Sequence, residues 1–147
     1  MKRKHQFLVL VLLIAALQLA ACSKAPEAVQ EEAPVTVEHL TGSEVSRVTL
    51  TSDAAKRLDI QTDSSQVEDI GGVQSVVIPY ASVLYDTEGH TWVYTTTDSL
   101  TFVRTPVEVD SIHGDDVILR SGPPAGTSVV TVGAEELFGS ETEFEEE

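Results

Sequence analysis

Apolar residues in this chain come in short runs, and turn signals interrupt them at a spacing of roughly ten residues. Between about residue 46 and residue 139 the runs are rich in Val, Ile, Thr and aromatic residues, which favour strands, and Gly, Pro and Asp separate them. The clearest runs lie at 73–78, 83–85, 92–94, 101–109, 117–119 and 128–132. The sequence therefore predicts an all-β fold class, a small β-barrel or β-roll domain with one short helix.

That short helix is predicted at 52–58. It follows an alternating strand that contains Val48 and Leu50, and Ser52 or Asp53 can serve as its N-cap. An extended segment is predicted to begin at Ile60, and Gly71–Gly72 is predicted to be a turn or break.

The core is predicted from the apolar positions of these elements. One strand, 101–109, contains Pro106, which lacks an amide donor, so this strand is predicted to be an edge or to carry a bulge. The predicted core consists of Val48, Leu50, Leu58, Ile60, Val77, Leu84, Val93, Val103, Val107, Val117, Leu119, Val130 and Val132.

The N-terminal segment, residues 1–21, has the pattern of an export signal. Lys2, Arg3 and Lys4 precede an apolar run that is short for a membrane span. The last residues before and including Cys22, Leu-Ala-Ala-Cys, resemble a bacterial lipobox, which implies cleavage before Cys22 and lipid on its sulfur. The alternative is cleavage at an A-x-A-like site, with Cys22 incidental. Cys22 is the only cysteine, so no disulfide forms within the chain.

The composition around the predicted domain is acidic. Residues 22–45 are rich in Ala, Pro and Glu and are predicted to be a disordered tether, residues 46–139 the folded domain, and residues 140–147 an acidic tail. Without residues 1–21 the chain has 6 Lys and Arg against 24 Asp and Glu, a net charge of −18. Such a surface repels nucleic acid, because phosphate contacts need Lys and Arg.

One candidate site stands out, the run that holds Asp86, Glu88 and His90. Because Gly89 lies among them, the run is predicted to be a hairpin loop of about five residues; the alternative is a weak metal contact. A metal site shared with His113 requires both loops to lie at the same end of the fold. No cofactor is predicted.

No enzyme motif accompanies this run. The sequence has no G-x-S-x-G, no H-E-x-x-H and no glycine-rich phosphate loop, so no catalytic residue is predicted. Its aromatic residues allow two interpretations, packing in the core or a binding patch of the kind found in sugar-binding β-domains. They are Tyr80, Tyr85, Trp92, Tyr94 and Phe102.

Three stretches resemble the C-terminal part of periplasmic adaptor subunits (membrane fusion proteins) of resistance-nodulation-division efflux pumps. They are 77–85, with Ile-Pro followed by Ala-Ser-Val; 91–94 with 100–107; and 121–133, with Ser-Gly before and Val-Val-Thr-Val-Gly at the end. In that family the region forms a β-barrel and a membrane-proximal β-domain that dock on the pump. The resemblance implies a docking role without catalysis and, through Cys22, a lipid anchor in the membrane.

The chain departs from this family in one respect. Full adaptors carry a lipoyl-like domain and a long helical hairpin, whereas only sixteen residues lie between Ile60 and Val77. The resemblance therefore implies a reduced adaptor, whose partner is the periplasmic face of a transporter or a full-length adaptor. The alternative is a stand-alone envelope lipoprotein that binds a sugar, peptide or cation. Ser23, rather than Asp, follows Cys22, which by analogy favours the outer membrane.

Overall fold

A computed structural model describes residues 33–143 of the chain. The predicted signal at 1–21, the lipidation site Cys22 and the beginning of the predicted tether lie outside the described residues. The strands are β1 (Val35–His39), β2 (Ser46–Leu50), β3 (Gln61–Ser64), β4 (Gln66–Ile70), β5 (Val73–Pro79), β6 (Leu84–Tyr85), β7 (Thr91–Asp98), β8 (Thr101–Pro106), β9 (Glu108–His113), β10 (Asp116–Ser121) and β11 (Ser128–Val132). The helices are α1 (Ser52–Arg57), a 3-10 turn (Tyr80–Ser82) and α2 (Ala134–Glu143).

The strands form two antiparallel sheets. Sheet A has the order β1-β2-β8-β7-β11-β3, with β6 paired to β7 as its seventh strand, and sheet B has the order β4-β5-β10-β9. Every strand pair in both sheets is antiparallel. The all-β class is thus confirmed; within the described residues the strands form two open sheets and no closed barrel.

Sheet A lies between two cores. The helix-side core fills the space between sheet A and the two α-helices, and includes Tyr94, Phe102 and Leu137. The inter-sheet core fills the space between sheets A and B, and includes Val93 and Val117. Successive residues of a strand point to opposite faces, so β7 supplies Val93 to one core and Tyr94 to the other.

Strand β11 is buried in the same way. Val129 belongs to the inter-sheet core and Val130 to the helix-side core. A strand covered on both faces needs consecutive apolar residues, and β7 has them at Trp92–Tyr94 and β11 at Val129–Val130.

Most local predictions are confirmed. The helix predicted at 52–58 is α1, although its N-cap is Thr51, whose Oγ1 accepts a hydrogen bond of 3.2 Å from Ala54 N. Gly71 and Gly72 both have positive φ and form the turn between β4 and β5, which pair in register. Strand β11 has the predicted bounds.

The segment predicted to be a single strand at 101–109 belongs to two strands in the structure. Its first part is β8 in sheet A and its second part is β9 in sheet B. The division falls at Val107, whose N donates a 3.0 Å hydrogen bond to Thr91 O before the chain leaves for the other sheet. Pro106 is the last residue of β8, a position where its missing amide hydrogen costs no ladder bond.

The disordered tether predicted at 22–45 is wrong for its described part. Strand β1 pairs with β2 over its whole length, and Val35 and Val37 pack against the helix-side core. The two valines alternate with polar residues, so β1 has the pattern of a half-buried edge strand. The ordered domain therefore begins before residue 46.

The boundary predicted between the domain at 139 and an acidic tail at 140–147 is also wrong. Helix α2 runs through it to Glu143, with Leu137 buried in the helix-side core. Glu141 is fully buried. Residues 144–147 lie outside the described residues.

The predicted core is confirmed in its main part. Eight of its residues are buried: Val48, Leu50, Val77, Val93, Val107, Val117, Leu119 and Val130. Four others, Leu58, Ile60, Leu84 and Val103, are half-buried, and Val132 is exposed. Among the described residues, no helix has the length and apolar character that crossing a membrane requires.

Candidate functional site

The run that holds Asp86, Glu88 and His90 is the loop of a β-hairpin. Strands β6 and β7 pair through Leu84 with Trp92 and through Tyr85 with Thr91. The five residues between them close with a hydrogen bond of 3.1 Å from Asp86 N to His90 O. Gly89 has a φ of +87°, which a glycine adopts without strain. The five-residue hairpin loop predicted from the sequence is confirmed.

The Asp86 carboxylate organises this loop. Oδ1 accepts hydrogen bonds from Glu88 N at 2.9 Å and from His90 N at 2.8 Å. Oδ2 lies 3.0 Å from His90 Nδ1 and accepts a 3.0 Å bond from Trp92 Nε1. The side chain is 13 % exposed. Four groups thus converge on one carboxylate, and this side chain holds the turn in its shape.

These contacts lower the pKa of Asp86 well below its usual value. The indole N–H of Trp92 is the largest cause, and the backbone N–H and the ring of His90 and the backbone N–H of Glu88 contribute in the same direction. Burial opposes them, because it disfavours the charged form. The carboxylate is therefore ionised throughout the physiological range.

The same loop supplies three possible metal ligands. One ligand atom each from Asp86, Glu88 and His90 lies within 4.8 Å of the others. Glu88 and His90 are exposed, with 3.5 Å between His90 Nδ1 and Glu88 Oε2. A metal ion would have to compete for Asp86 with the donors that already occupy both of its oxygens, so the arrangement fits a structural loop better than a metal site.

His113 does not join this group. It ends β9, whereas the loop lies near the start of that strand, where Val107 N bonds to Thr91 O. Six residues of extended chain span roughly 20 Å. The two-histidine site considered from the sequence is not formed among the described residues.

Beneath the loop, Trp92 is held by a buried ion pair. The Arg104 guanidinium carbon lies 4.5 Å from the centre of the Trp92 ring and 5.1 Å from that of Phe138. Arg104 Nη2 donates a 3.3 Å hydrogen bond to Glu141 Oε1. Arg104 Nε is 3.3 Å from Glu141 Oε2 but is not aligned for a hydrogen bond.

Glu141 has further partners from distant parts of the chain. Its Oε1 accepts a 2.9 Å hydrogen bond from Ser46 N, and its Oε2 accepts a short one from the Tyr94 hydroxyl. A continuous line of contacts thus runs from α2 through Arg104 and Trp92 to the Asp86 loop.

An open groove with a volume of about 850 Å³ lies beside the loop. Its walls come from the loop, from the end of β8 and from sheet B. Acidic and basic residues both line the groove, among them Glu44, Glu108, Arg104 and Arg120. His90 and Trp92 of the hairpin also line it. Both arginines are already ion-paired, Arg104 with Glu141 and Arg120 with Asp110 at 2.9 Å. The groove therefore has little uncompensated positive charge to offer an anion.

The sequence allowed the aromatic residues to be either core residues or a binding patch, and the structure contains some of each kind, buried and exposed. Tyr94 and Phe102 are buried in the helix-side core, and Trp92 is half-buried. Tyr80 and Tyr85 are exposed.

The sequence analysis missed Arg104 and Glu141. One feature of the sequence could have indicated Arg104, because it shares a strand face with the apolar Phe102. An arginine on an apolar face often has a buried partner. No feature of the sequence indicated that Glu141 is buried, because it is one of many glutamates near the C-terminal end.

Comparison of the chain with protein-family models, with curated proteins and with solved structures gave no match. What the protein does has therefore to be argued from its own residues.

Proposed function

We propose that this protein is a lipid-anchored docking module of the bacterial envelope, without catalytic activity. Lipid on Cys22 holds it to a membrane, and its β-domain binds a component of an efflux system, either the periplasmic face of a transporter or a full-length adaptor. This is the role implied by the resemblance to the docking end of adaptor subunits.

One observation carries the proposal. The three stretches that resemble the adaptors are assembled side by side in the fold. The first ends in β6, the second forms β7 and β8, and the third ends in β11, and β6, β8 and β11 all pair with β7. The fold is thus compatible with a single docking unit built from these three stretches.

The Asp86 loop supports the non-catalytic part of the proposal. A general base or nucleophile needs a lone pair that is accessible to a substrate. Both Asp86 oxygens are engaged by donors of the loop itself and by Trp92. This loop is therefore better suited to presenting a fixed surface than to carrying out a reaction.

The beginning of the described residues and the Asp86 loop lie at opposite ends of sheet A. The described chain begins beside the end of β2, where Thr51 N donates a 3.0 Å hydrogen bond to Pro34 O. The Asp86 loop lies at the opposite end of sheet A, next to Pro106 at the end of β8. The six residues of β8 span roughly 20 Å.

Replacement of Cys22 tests the anchor. In cells, Cys22→Ser is expected to move the protein from the membrane fraction to the soluble fraction and to remove the lipid from its intact mass. Ser23→Ala keeps the cysteine and should leave both readouts unchanged. An unmodified mass for the wild-type protein would contradict the anchor.

Recovery of partners tests the docking role. The wild-type protein, cross-linked in membranes and purified, is expected to bring down a transporter or adaptor component. Failure to recover either one, under conditions that capture a full-length adaptor with its pump, would refute the efflux role while leaving the anchor intact.

The groove favours a second candidate, a stand-alone protein that binds a sugar, peptide or cation. For the cation, Trp92 is a built-in reporter, because it is the only tryptophan and donates to Asp86. A saturable change in its fluorescence on addition of Ca²⁺ or Zn²⁺, absent in His90→Ala, would favour this alternative. The docking proposal expects no saturable change.

A further inference from the structure

Two tyrosines, Tyr80 and Tyr85, are exposed close together. Tyr80 is 45 % exposed and Tyr85 is 53 % exposed. Tyr80 opens the 3-10 turn, which reverses the chain through a 3.0 Å hydrogen bond from Val83 N to Tyr80 O. Tyr85 follows at the end of the next strand, β6. Single exposed aromatic residues are common, but a neighbouring pair is a more specific feature.

The two phenol rings lie on the same side of the fold. Leu84 points into the helix-side core, so Tyr85 points to the other face of sheet A, toward sheet B and the 3-10 turn. Burial raises the pKa of Tyr85, and the nearby Tyr80 hydroxyl raises it further. The phenols are therefore neighbours, and each still presents about half of its surface to solvent.

Two acidic residues, Asp115 and Asp116, lie next to Tyr80 and Pro79 through backbone contacts. Tyr80 N donates a 2.8 Å hydrogen bond to Asp115 O, which places the turn between β9 and β10 against the tyrosines. Asp116 is the register partner of Pro79, the residue before Tyr80. Both aspartates are exposed. No lysine or arginine occurs in 73–90 or in 108–118, the segments around the pair, so nothing local neutralises this charge.

We propose that Tyr80 and Tyr85, with Asp115 and Asp116, form a docking site for a basic segment, rich in Arg or Lys, of a partner protein. A cation over a tyrosine face is attracted by the ring, and nearby carboxylates add charge attraction. Tyrosine is also enriched among residues that dominate binding at interfaces. The inference rests on the proposed docking function and specifies the chemistry of the partner.

Charge decides between this ligand and its rivals. An anionic ligand would approach two uncompensated carboxylates in an acidic molecule, which carries a net charge of −15. A neutral sugar could stack on tyrosine, but it would gain nothing from Asp115 and Asp116 as charges. Only a cationic segment uses both features of the site.

The test is a titration of the full-length protein with an oligo-arginine peptide. Tyr80→Ala with Tyr85→Ala is expected to weaken binding about tenfold, since two exposed cation–π contacts amount to about that factor. Tyr80→Phe with Tyr85→Phe keeps the rings and should bind nearly as the wild type does. Asp115→Asn with Asp116→Asn should also weaken binding.

A matched control separates the site from overall charge. Glu135→Gln with Glu136→Gln also removes two exposed negative charges, but on α2, which packs on the other face of sheet A. If this pair weakens oligo-arginine binding as much as the aspartate pair, or if the alanine pair has no effect, the site is refuted. Tyrosine-dependent binding of a neutral oligosaccharide, without binding of oligo-arginine, would also refute it.

The cross-linking experiment described above shows whether the tyrosine site fails while the proposed docking function still holds. If the Tyr80→Ala, Tyr85→Ala protein still recovers a transporter or adaptor component as well as the wild type does, docking stands and this site is refuted. Because both side chains are exposed, the alanine pair should retain the wild-type urea midpoint, and the phenylalanine pair provides a second folded comparison.

Discussion

At the scale of single residues, one aspartate accounts for the shape of the hairpin loop at 86–90. Asp86 accepts from two backbone N–H groups and from the indole of Trp92, and it contacts the His90 ring. Sequence reasoning identified the hairpin and its length from Gly89 and the flanking strands. It did not identify the Trp92 contact, because nothing in a linear sequence says which way an indole points.

The low pKa of Asp86 makes a prediction about pH. Because its pKa is lowered on folding, the stabilisation is complete above about pH 5, is lost progressively as the pH falls below the usual aspartate value of 3.8, and is gone below the lowered value. Asp86→Asn is therefore expected to lower the Tm at pH 7 and to lower it less at pH 3. Thermal unfolding of both proteins across this range measures the difference.

Glu88→Gln is the control for that comparison, because Glu88 is exposed and receives no hydrogen bond from Trp92. It should follow the wild type at every pH. An Asp86→Asn deficit that stayed constant down to pH 3 would show that shape, rather than charge, is what the carboxylate contributes.

Two glycines provide a matched prediction about packing. Gly133 and Gly126 both have a φ of +85°, but a Cβ at Gly133 would overlap Ile60 Cδ1, whereas a Cβ at Gly126 would meet nothing within 4 Å. Gly126→Ala is expected to cost about 1 kcal/mol of unfolding free energy, from backbone strain alone. Gly133→Ala should cost about 1–3 kcal/mol more. Urea unfolding checks this, and equal costs would mean that Ile60 moves aside freely.

At the scale of elements, helix α2 is joined to sheet A by the Glu141 carboxylate. Removing one partner of a buried ion pair leaves the other charge uncompensated. The Arg104 side chain is only 10 % exposed. Glu141→Ala is therefore expected to lower the unfolding free energy by about 3–5 kcal/mol. Urea unfolding followed by Trp92 fluorescence measures it.

Glu143→Ala tests whether the effect belongs to the pair or to the helix. Glu143 is exposed on the same helix, so its loss should change the unfolding free energy by no more than about 0.5 kcal/mol. In a second variant, Arg104→Met with Glu141→Leu, apolar side chains replace both charges and should recover part of the loss. Equal effects of Glu141→Ala and Glu143→Ala would refute a special role for Glu141.

The elements that sequence reasoning missed share a physical cause. The partners of Glu141 are 37, 47 and 95 residues away along the chain, so no local pattern indicated that this glutamate is buried. Strand β1 has the alternation of a strand, but it lies in an Ala-, Pro- and Glu-rich segment whose composition indicated disorder. The division of 101–109 between two sheets likewise depends on where Thr91 lies, which is a tertiary fact.

The elements that were predicted correctly depend on local chemistry. Gly71 and Gly72 fix the β4–β5 turn by their positive φ. The consecutive apolar residues within β7 and β11 are explained by burial on both faces of sheet A. The Tyr80–Tyr85 pair was noted only as part of an undivided group of aromatic residues, since the period of a strand cannot say which face a second sheet will cover.

At the scale of the whole molecule, the net charge of −15 sets the response to salt. Excess charge of one sign repels itself in the compact state, and 0.1 M salt shortens the range of that repulsion to about 10 Å. We expect the Tm to rise by roughly 2–6 °C between low salt and 0.3 M NaCl. A fall in Tm instead would mean that exposed ion pairs such as Arg120–Asp110 outweigh the repulsion.

The burial of β7 on both faces has a consequence for how the molecule opens. Val93 and Tyr94 pair with β8, and on the other side of β7 strand β6 pairs just before them and β11 just after them. Their amide protons can therefore meet solvent only when the whole domain comes apart. In deuterated water, Val93 and Tyr94 should be among the last to lose their hydrogen signal, at a rate that reports global opening. Hydrogen exchange at these two amides thus provides an internal gauge of stability that needs neither denaturant nor heat.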